Sequence, residues 1–277
     1  MLPVGILPEN AETRPYAGGK MLAAKADGIG LITFNQPEKR NAMSMEMWTG
    51  FGEILDAFGA DDSIKVVVLT GAGDKAFVSG ADISQFEKNR NSADAQKEYD
   101  RATGIGRNKF HAFRKPTICR IRGFCMGGGL AIAMAADLRI AAAGSQFGIP
   151  AARLSIAYAA HSVKQLIDLV GPAHARMILY TAKRIDAAEA ERIGLINRMT
   201  EENALDDVVM DIARTIADNA PLSIAASKIT INEMLKDESQ RDMEAVRVIG
   251  ETCFNSADYK EGRTAFMEKR QPKFVGR

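Results

Sequence analysis

The chain has 277 residues, 46% hydrophobic and 26% charged, which is enough to bury the core of one large domain or of one domain with a helical appendage. A formal net charge of +1 leaves no long-range field to gather nucleic acid or an anionic membrane, so the expected partner is a small molecule and any anion site is local. Three cysteines, Cys119, Cys125 and Cys253, are too few for a disulfide framework and lack the paired spacing of a zinc site, which fits a reducing cytoplasm and no metal.

Residues 1–20 carry prolines and polar residues without the basic stretch and apolar core of a secretory signal, and read as a flexible extension. From Met21 short β-type runs alternate with amphipathic stretches, the pattern of a layered α/β core. Residues 30–34 predict a strand closed by Asn35-Gln36-Pro37. Residues 45–58 place Met47, Phe51, Ile54, Leu55 and Phe58 on one side of a helix. The run 65–70 is a β-branched strand ending in Gly71-Ala72-Gly73, and 117–122 and 138–143 repeat the device, ending at Gly123 and Gly144.

Between those last two, 130–136 reads as a buried, alanine-rich helix starting on three glycines; the apolar window 130–143 is broken by Asp137 and Arg139 and is too short to cross a bilayer. Strand, turn and helix follow one another without exact sequence repetition, which predicts a wound or spiral core over 21–200. After about Glu201 the pattern changes to successive helices over 205–219, 222–236, 239–253 and 258–269, whose apolar faces need a partner surface.

Two glycine-bearing segments carry the chemistry. In Phe77-Val78-Ser79-Gly80-Ala81-Asp82-Ile83 small residues bring backbone close to whatever binds, with the Ala81 amide free to donate. In Gly123-Phe124-Cys125-Met126-Gly127-Gly128-Gly129 a strand leads into a helix start, whose first amides have no internal acceptors and favour negative charge. If Ala81 and Gly128 converge, they form a two-donor oxyanion hole, one donor being worth about 3 to 4 kcal/mol of barrier. On glycine content alone the same segments also read as two tight turns, and they form neither a Walker loop nor a G-x-G-x-x-G fingerprint.

Taken in order, these motifs resemble the crotonase (enoyl-CoA hydratase/isomerase) superfamily. Pro37-Glu38-Lys39-Arg40-Asn41-Ala42 is similar to its CoA-contacting turn, residues 77–83 and 123–129 to its two oxyanion loops, and Phe266-Met267-Glu268-Lys269-Arg270 to its C-terminal signature. Residues 186–194, followed by Leu195-Ile196-Asn197, resemble its helix-turn-strand after the active-site half. The resemblance implies a spiral of repeated ββα units, a helical trimerisation region over 201–277, and a trimer or dimer of trimers. It also implies an acyl-CoA substrate with no separate cofactor. Ala81 and Gly128 would then hold the thioester oxygen, with Gly127 beside them, while Lys39, Ala42, Asp82 and Ile83 lie toward the CoA nucleotide; Lys269 is a candidate phosphate contact or simply a solvated lysine. Asp82 and Asp137 are read as shaping a loop and ending a helix.

The sequence departs from the hydratase pattern at both catalytic glutamates: those positions are Ala131 and Ala151. Alanine neither activates water nor protonates an α-carbon, so ordinary hydration is not expected. Tyr158 resembles a tyrosine of the superfamily's decarboxylases; its other reading is a core or rim tyrosine with a solvated hydroxyl. Arg153 is a candidate partner for a substrate carboxylate or simply a surface charge. His161 either narrows the pocket, serves as a base, or is a surface histidine; His111 and His174 read as structural. Glu87 and residues 89–100 are the places from which a substitute acid would come.

Three functions follow: an enzyme that stabilises an acyl-CoA enolate, with malonyl-type decarboxylation as its alternative reaction; a non-catalytic acyl-CoA-binding protein; and an RNA-binding member, against which the neutral charge balance argues.

Overall fold

The computed structural model describes Leu7, residues 11–82 and residues 93–277, apart from the side chains of 93–100 and 102. The described strands are β1 (Thr13–Tyr16), β2 (Met21–Ala26), β3 (Ile29–Phe34), β4 (Val66–Gly71), β5 (Ala76–Val78) and β6 (Thr117–Ile121). They continue with β7 (Phe124–Met126), β8 (Leu138–Ala142), β9 (Gln146–Gly148), β10 (Ile185–Asp186) and β11 (Arg198–Thr200). The described helices are α1 (Met45–Ala60), α2 (Ala93–His111), α3 (Gly128–Ala135), α4 (Ala160–Thr181) and α5 (Ala187–Arg192). The last four are α6 (Leu205–Asp218), α7 (Pro221–Met234), α8 (Met243–Asn255) and α9 (Ala257–Glu268).

Two sheets result. The larger runs β1-β2-β3-β4-β6-β8-β11 and the smaller β10-β9-β7-β5. Strands β4, β6 and β8 sit in the large sheet, and each is followed directly by a three-residue strand, β5, β7 or β9, in the small one. The chain therefore steps from one sheet to the other and into a helix before it repeats, which is the expected spiral of ββα units. The crossovers make β3/β4, β4/β6, β6/β8 and β8/β11 parallel, while β1/β2 and β2/β3 are antiparallel hairpin pairs.

Every residue of β3 and β4 is buried, as expected of parallel strands covered on both faces. One face meets the main core, where Phe34 packs edge-on against Phe77 at 5.4 Å and Phe51 against Phe110 at 5.1 Å. The other is covered by α6, whose Leu205, Val209, Met210 and Ala213 pack with Val66, Val68, Ile118 and Ile140. Full burial of a side chain such as Leu205 or Val209 contributes roughly 1.5–3 kcal/mol.

Two boundaries differ from expectation. Thr13–Tyr16, inside the anticipated extension, is the edge strand of the large sheet, paired from Thr13 with Ala24 to Tyr16 with Met21. Helix α6 belongs to the core layer, so within 201–277 only α7, α8 and α9 form the outlying helical part. These helices carry the exposed apolar residues Ile231, Phe254, Phe266 and Met267, the last two at 83% and 80% exposure. Lys228 ties α7 back to the core: its ammonium lies 2.8 Å from Asp137, which also accepts from the Thr117 amide and hydroxyl beyond the end of α3.

Candidate active site

Asn41 fixes the first loop. It is fully buried with φ of 56°; its amide nitrogen donates to the carbonyls of Ala72 at 3.0 Å and Ala76 at 2.8 Å, and its oxygen accepts from the Gln36 amide. The Pro37–Ala42 turn is thereby clamped onto the start of β5. Beyond β5 the chain forms a parallel bridge with Met43: the Met43 amide donates to Gly80 O at 2.8 Å and the Asp82 amide to Met43 O at 2.9 Å. Because amides alternate in direction along an extended strand, the Ala81 N–H is turned away from Met43.

The second loop begins at Gly123, where φ is 69° and a β-carbon would stand 2.2 Å from the Lys75 carbonyl oxygen. β7 then leads to Gly127, at φ 49° and ψ −114°, where α3 starts. A β-carbon on Gly129 would stand 2.1 Å from the Val78 carbonyl oxygen, so its glycine is what lets α3 start against β5. The two loops meet there: the Ala81 nitrogen is 3.7 Å from the place a β-carbon on Gly128 would occupy. Among the described residues, no backbone carbonyl accepts a hydrogen bond from either the Ala81 or the Gly128 amide.

Both residues line a cavity of about 620 Å³ that also reaches Gly127, Ala131, Ala151, Tyr158 and His161. Its described lining has no Asp or Glu. The Tyr158 hydroxyl donates to the Gly127 carbonyl at 3.0 Å, and burial pushes the phenol well above the ordinary tyrosine range. The residue as a whole is half-buried, with its hydroxyl oriented on Gly127 at the cavity wall.

Other expected site residues lie elsewhere. Lys39 pairs with the buried Asp82 at 2.9 Å, beside the first loop but outside the cavity lining; Ala42 is buried behind Met43. Arg153 is exposed on the turn Pro150–Arg153 and does not line the cavity. Lys269 is exposed at the end of α9, also outside it. Ile83, Glu87 and 89–92 lie outside the described residues, as do the side chains of 93–100.

His111, read from the sequence as structural, is instead on the cavity wall, its ring centroid 6.0 Å from that of His161 in an edge-on arrangement. Arg107 and Gln165 join them there. The signal for both was present as i, i+4 spacing, Arg107 with His111 on a polar helix and His161 with Gln165 on an amphipathic one, where polar positions read as the solvated face.

The sequence model of the enoyl-CoA hydratase/isomerase family matches residues 24–277. The crotonyl-CoA hydratase of Syntrophomonas wolfei is 34% identical over 260 residues, 93% of this chain and 98% of that protein. The short-chain-enoyl-CoA hydratase of Clostridium acetobutylicum is 34% identical over 255 residues, covering 91% and 95%. The crystal structure of an enoyl-CoA hydratase/carnithine racemase from Magnetospirillum magneticum superposes with a TM-score of 0.89 at 35% identity, over 93% of this chain and 96% of that one. With a matching fold and a match over nearly the whole chain, the protein belongs to the enoyl-CoA hydratase/isomerase family, within the crotonase superfamily.

Proposed function

We propose that the chain acts on an acyl-CoA thioester by holding the thioester oxygen between the Ala81 and Gly128 amides, so that negative charge developing as an enolate is stabilised without a carboxylate at position 131 or 151. The observation that carries this reading is the Ala81 nitrogen set against Gly128 on the cavity wall, with neither amide bonded to a described carbonyl. Donors already aimed at the developing oxyanion need no reorganisation during reaction. The start of α3 adds its positive end to the same place. CoA is part of the substrate, and the reading needs no further cofactor.

Tyr158 favours decarboxylation of a malonyl-type acyl-CoA as the second reading. Loss of CO₂ leaves the electrons of the broken C–C bond on the α-carbon and thioester oxygen, so no base has to create the enolate; a proton then returns to the α-carbon. A half-buried phenol, kept protonated and held on Gly127, suits a site where the enolate must be shielded and oriented.

The exposed apolar residues of α7, α8 and α9 support assembly through the C-terminal helices as a trimer or dimer of trimers. Among the described residues no helix is long and apolar enough to cross a membrane. A cytoplasmic location is proposed on the three free cysteines, as a reducing compartment would keep them.

The test is to incubate the protein with crotonyl-CoA and with methylmalonyl-CoA, following conjugated absorbance and CO₂ release. Hydration of crotonyl-CoA at a rate usual for hydratases contradicts the reading of Ala131 and Ala151. Affinity for thioesters with no turnover of any supports the non-catalytic binding protein instead.

A further inference from the structure

We infer that the cavity is shaped for a straight apolar acyl chain of about eight carbons, closed at its inner end by Trp48 and Phe110, rather than for a four-carbon group. The inference rests on the acyl-CoA reading above and adds the length and character of the acyl group.

The lining changes character with depth. His111, Leu154, Ser155 and His161 are exposed where the cavity opens. Met43, Trp48, Phe110, Ile132 and Ile149 line it at no more than 6% exposure, and apart from the Trp48 indole N–H this inner wall is apolar. Two of its members are fixed from behind, because the rings of Trp48 and Phe110 both pack on Phe51, with centroids 6.2 and 5.1 Å away. A wall packed into the core in this way does not move aside cheaply for a longer chain.

Helix α3 measures the length of the space. The cavity borders it from Gly128, whose amide faces the thioester oxygen in the reading above, to Ala135. Seven residues of α-helix rise about 10 Å. Carbon–carbon bonds of about 1.5 Å advance an extended chain by about 1.25 Å each, so a chain whose carbonyl is held at Gly128 reaches Ala135 with about its eighth carbon. A four-carbon group ends about 4 Å along that path. Beyond Gly128, Ala131 and Ala135 are the α3 residues left half-buried, and both face the cavity, so the path beside the helix is obstructed only by methyl groups.

A volume of about 620 Å³ agrees with that length. It falls among the pockets of roughly 300–1,000 Å³ that enclose drug-sized ligands. With a short chain bound, the inner wall faces either empty space, which forfeits contacts, or water that finds few hydrogen-bonding partners there. A longer chain covers Trp48, Phe110 and Ile132 instead, and each methylene it buries is worth about fourfold in affinity.

The test is calorimetric binding of butyryl-, hexanoyl-, octanoyl-, decanoyl- and dodecanoyl-CoA to the unaltered chain. Octanoyl-CoA is expected to bind at least about tenfold more tightly than butyryl-CoA, and dodecanoyl-CoA no more tightly than octanoyl-CoA. A smaller gain, or tighter binding of butyryl-CoA, overturns the inference. Tighter binding of dodecanoyl- than of octanoyl-CoA overturns the closed end. Ala135→Leu fills the path beside α3 and is expected to lower the octanoyl-to-butyryl affinity ratio about tenfold. A folded variant that keeps the parent's ratio overturns the assignment to this cavity, and if the variant does not fold the length series on the parent decides alone. A flat series in which every thioester binds better than free CoA defeats the chain-length inference only; should none bind better than free CoA, the acyl-CoA reading itself fails with it.

Discussion

Gly106 of α2 rests on the backbone of α1 at Trp48: a β-carbon there would stand 2.4 Å from the Trp48 carbonyl oxygen. This close approach sets the position of the next residue, Arg107, over the Trp48 ring. Gly106→Ala forces the helices apart, and overpacking of this kind costs about 1–3 kcal/mol. Urea denaturation is expected to show that loss, and the same variant should weaken thioester binding because the α2 wall of the cavity moves outward. A variant as stable as the parent would show that the two helices are less tightly engaged than this contact requires.

The Ala81 amide is open to a selective test because the neighbouring amides carry the bridge to Met43. Ala81→Pro removes that one N–H while the Met43–Gly80 and Asp82–Met43 hydrogen bonds do not depend on it. Turnover of whichever acyl-CoA proves to be the substrate should fall by roughly 10²–10³, the effect of deleting one oxyanion donor. A proline ring also intrudes toward Gly128, so the thermal midpoint must be measured alongside. Unchanged turnover in a folded variant removes Ala81 from the chemistry.

The long strands of the spiral were legible because they are β-branched runs buried on both faces; the expected 65–70 is realised as Val66–Gly71 and 138–143 as Leu138–Ala142. The small sheet was not, because β5, β7 and β9 have three residues each and so show neither alternation nor a bounded run. The expected strand at 195–197 is instead a turn that buries Leu195 and Ile196, and pairing with β8 starts at Arg198. The meeting of the two glycine loops was legible because glycine at 123 and 129 is required where β7 and α3 approach the backbone of Lys75 and Val78. Arg107 and Gln165 were not, because only tertiary structure, which sets His111 of α2 against His161 and Gln165 of α4, brings their i, i+4 pairs to a common cavity.

Ala131 and Ala151 give a prediction of gain. Both line the cavity, and Ala131 lies one turn into α3, where the helix end favours a carboxylate. The double variant Ala131→Glu with Ala151→Glu is expected to raise crotonyl-CoA hydration at least about tenfold over the parent, still below what two well-placed acid–base groups typically contribute. If the parent hydrates crotonyl-CoA rapidly and the double variant adds nothing, another acid already occupies the role.

Tyr158 ties stability to alkaline pH. Burial raises its phenol in the folded state, so the folded chain holds the proton more tightly than the unfolded chain, whose tyrosines ionise near pH 10. The stabilisation is fully present below about pH 10 and is lost as pH rises above it, because only the unfolded state then releases the proton. Tyr158→Phe removes the hydrogen bond to Gly127 O and should cost about 1 kcal/mol between pH 6 and 9, where the gap from the parent is flat. Above pH 10 the parent alone loses this contribution, so the gap narrows and the two stability curves converge. Denaturant unfolding at pH 8 and at pH 10.5 measures it; a gap that widens with pH would mean that the phenol ionises more readily in the folded chain than its buried position allows.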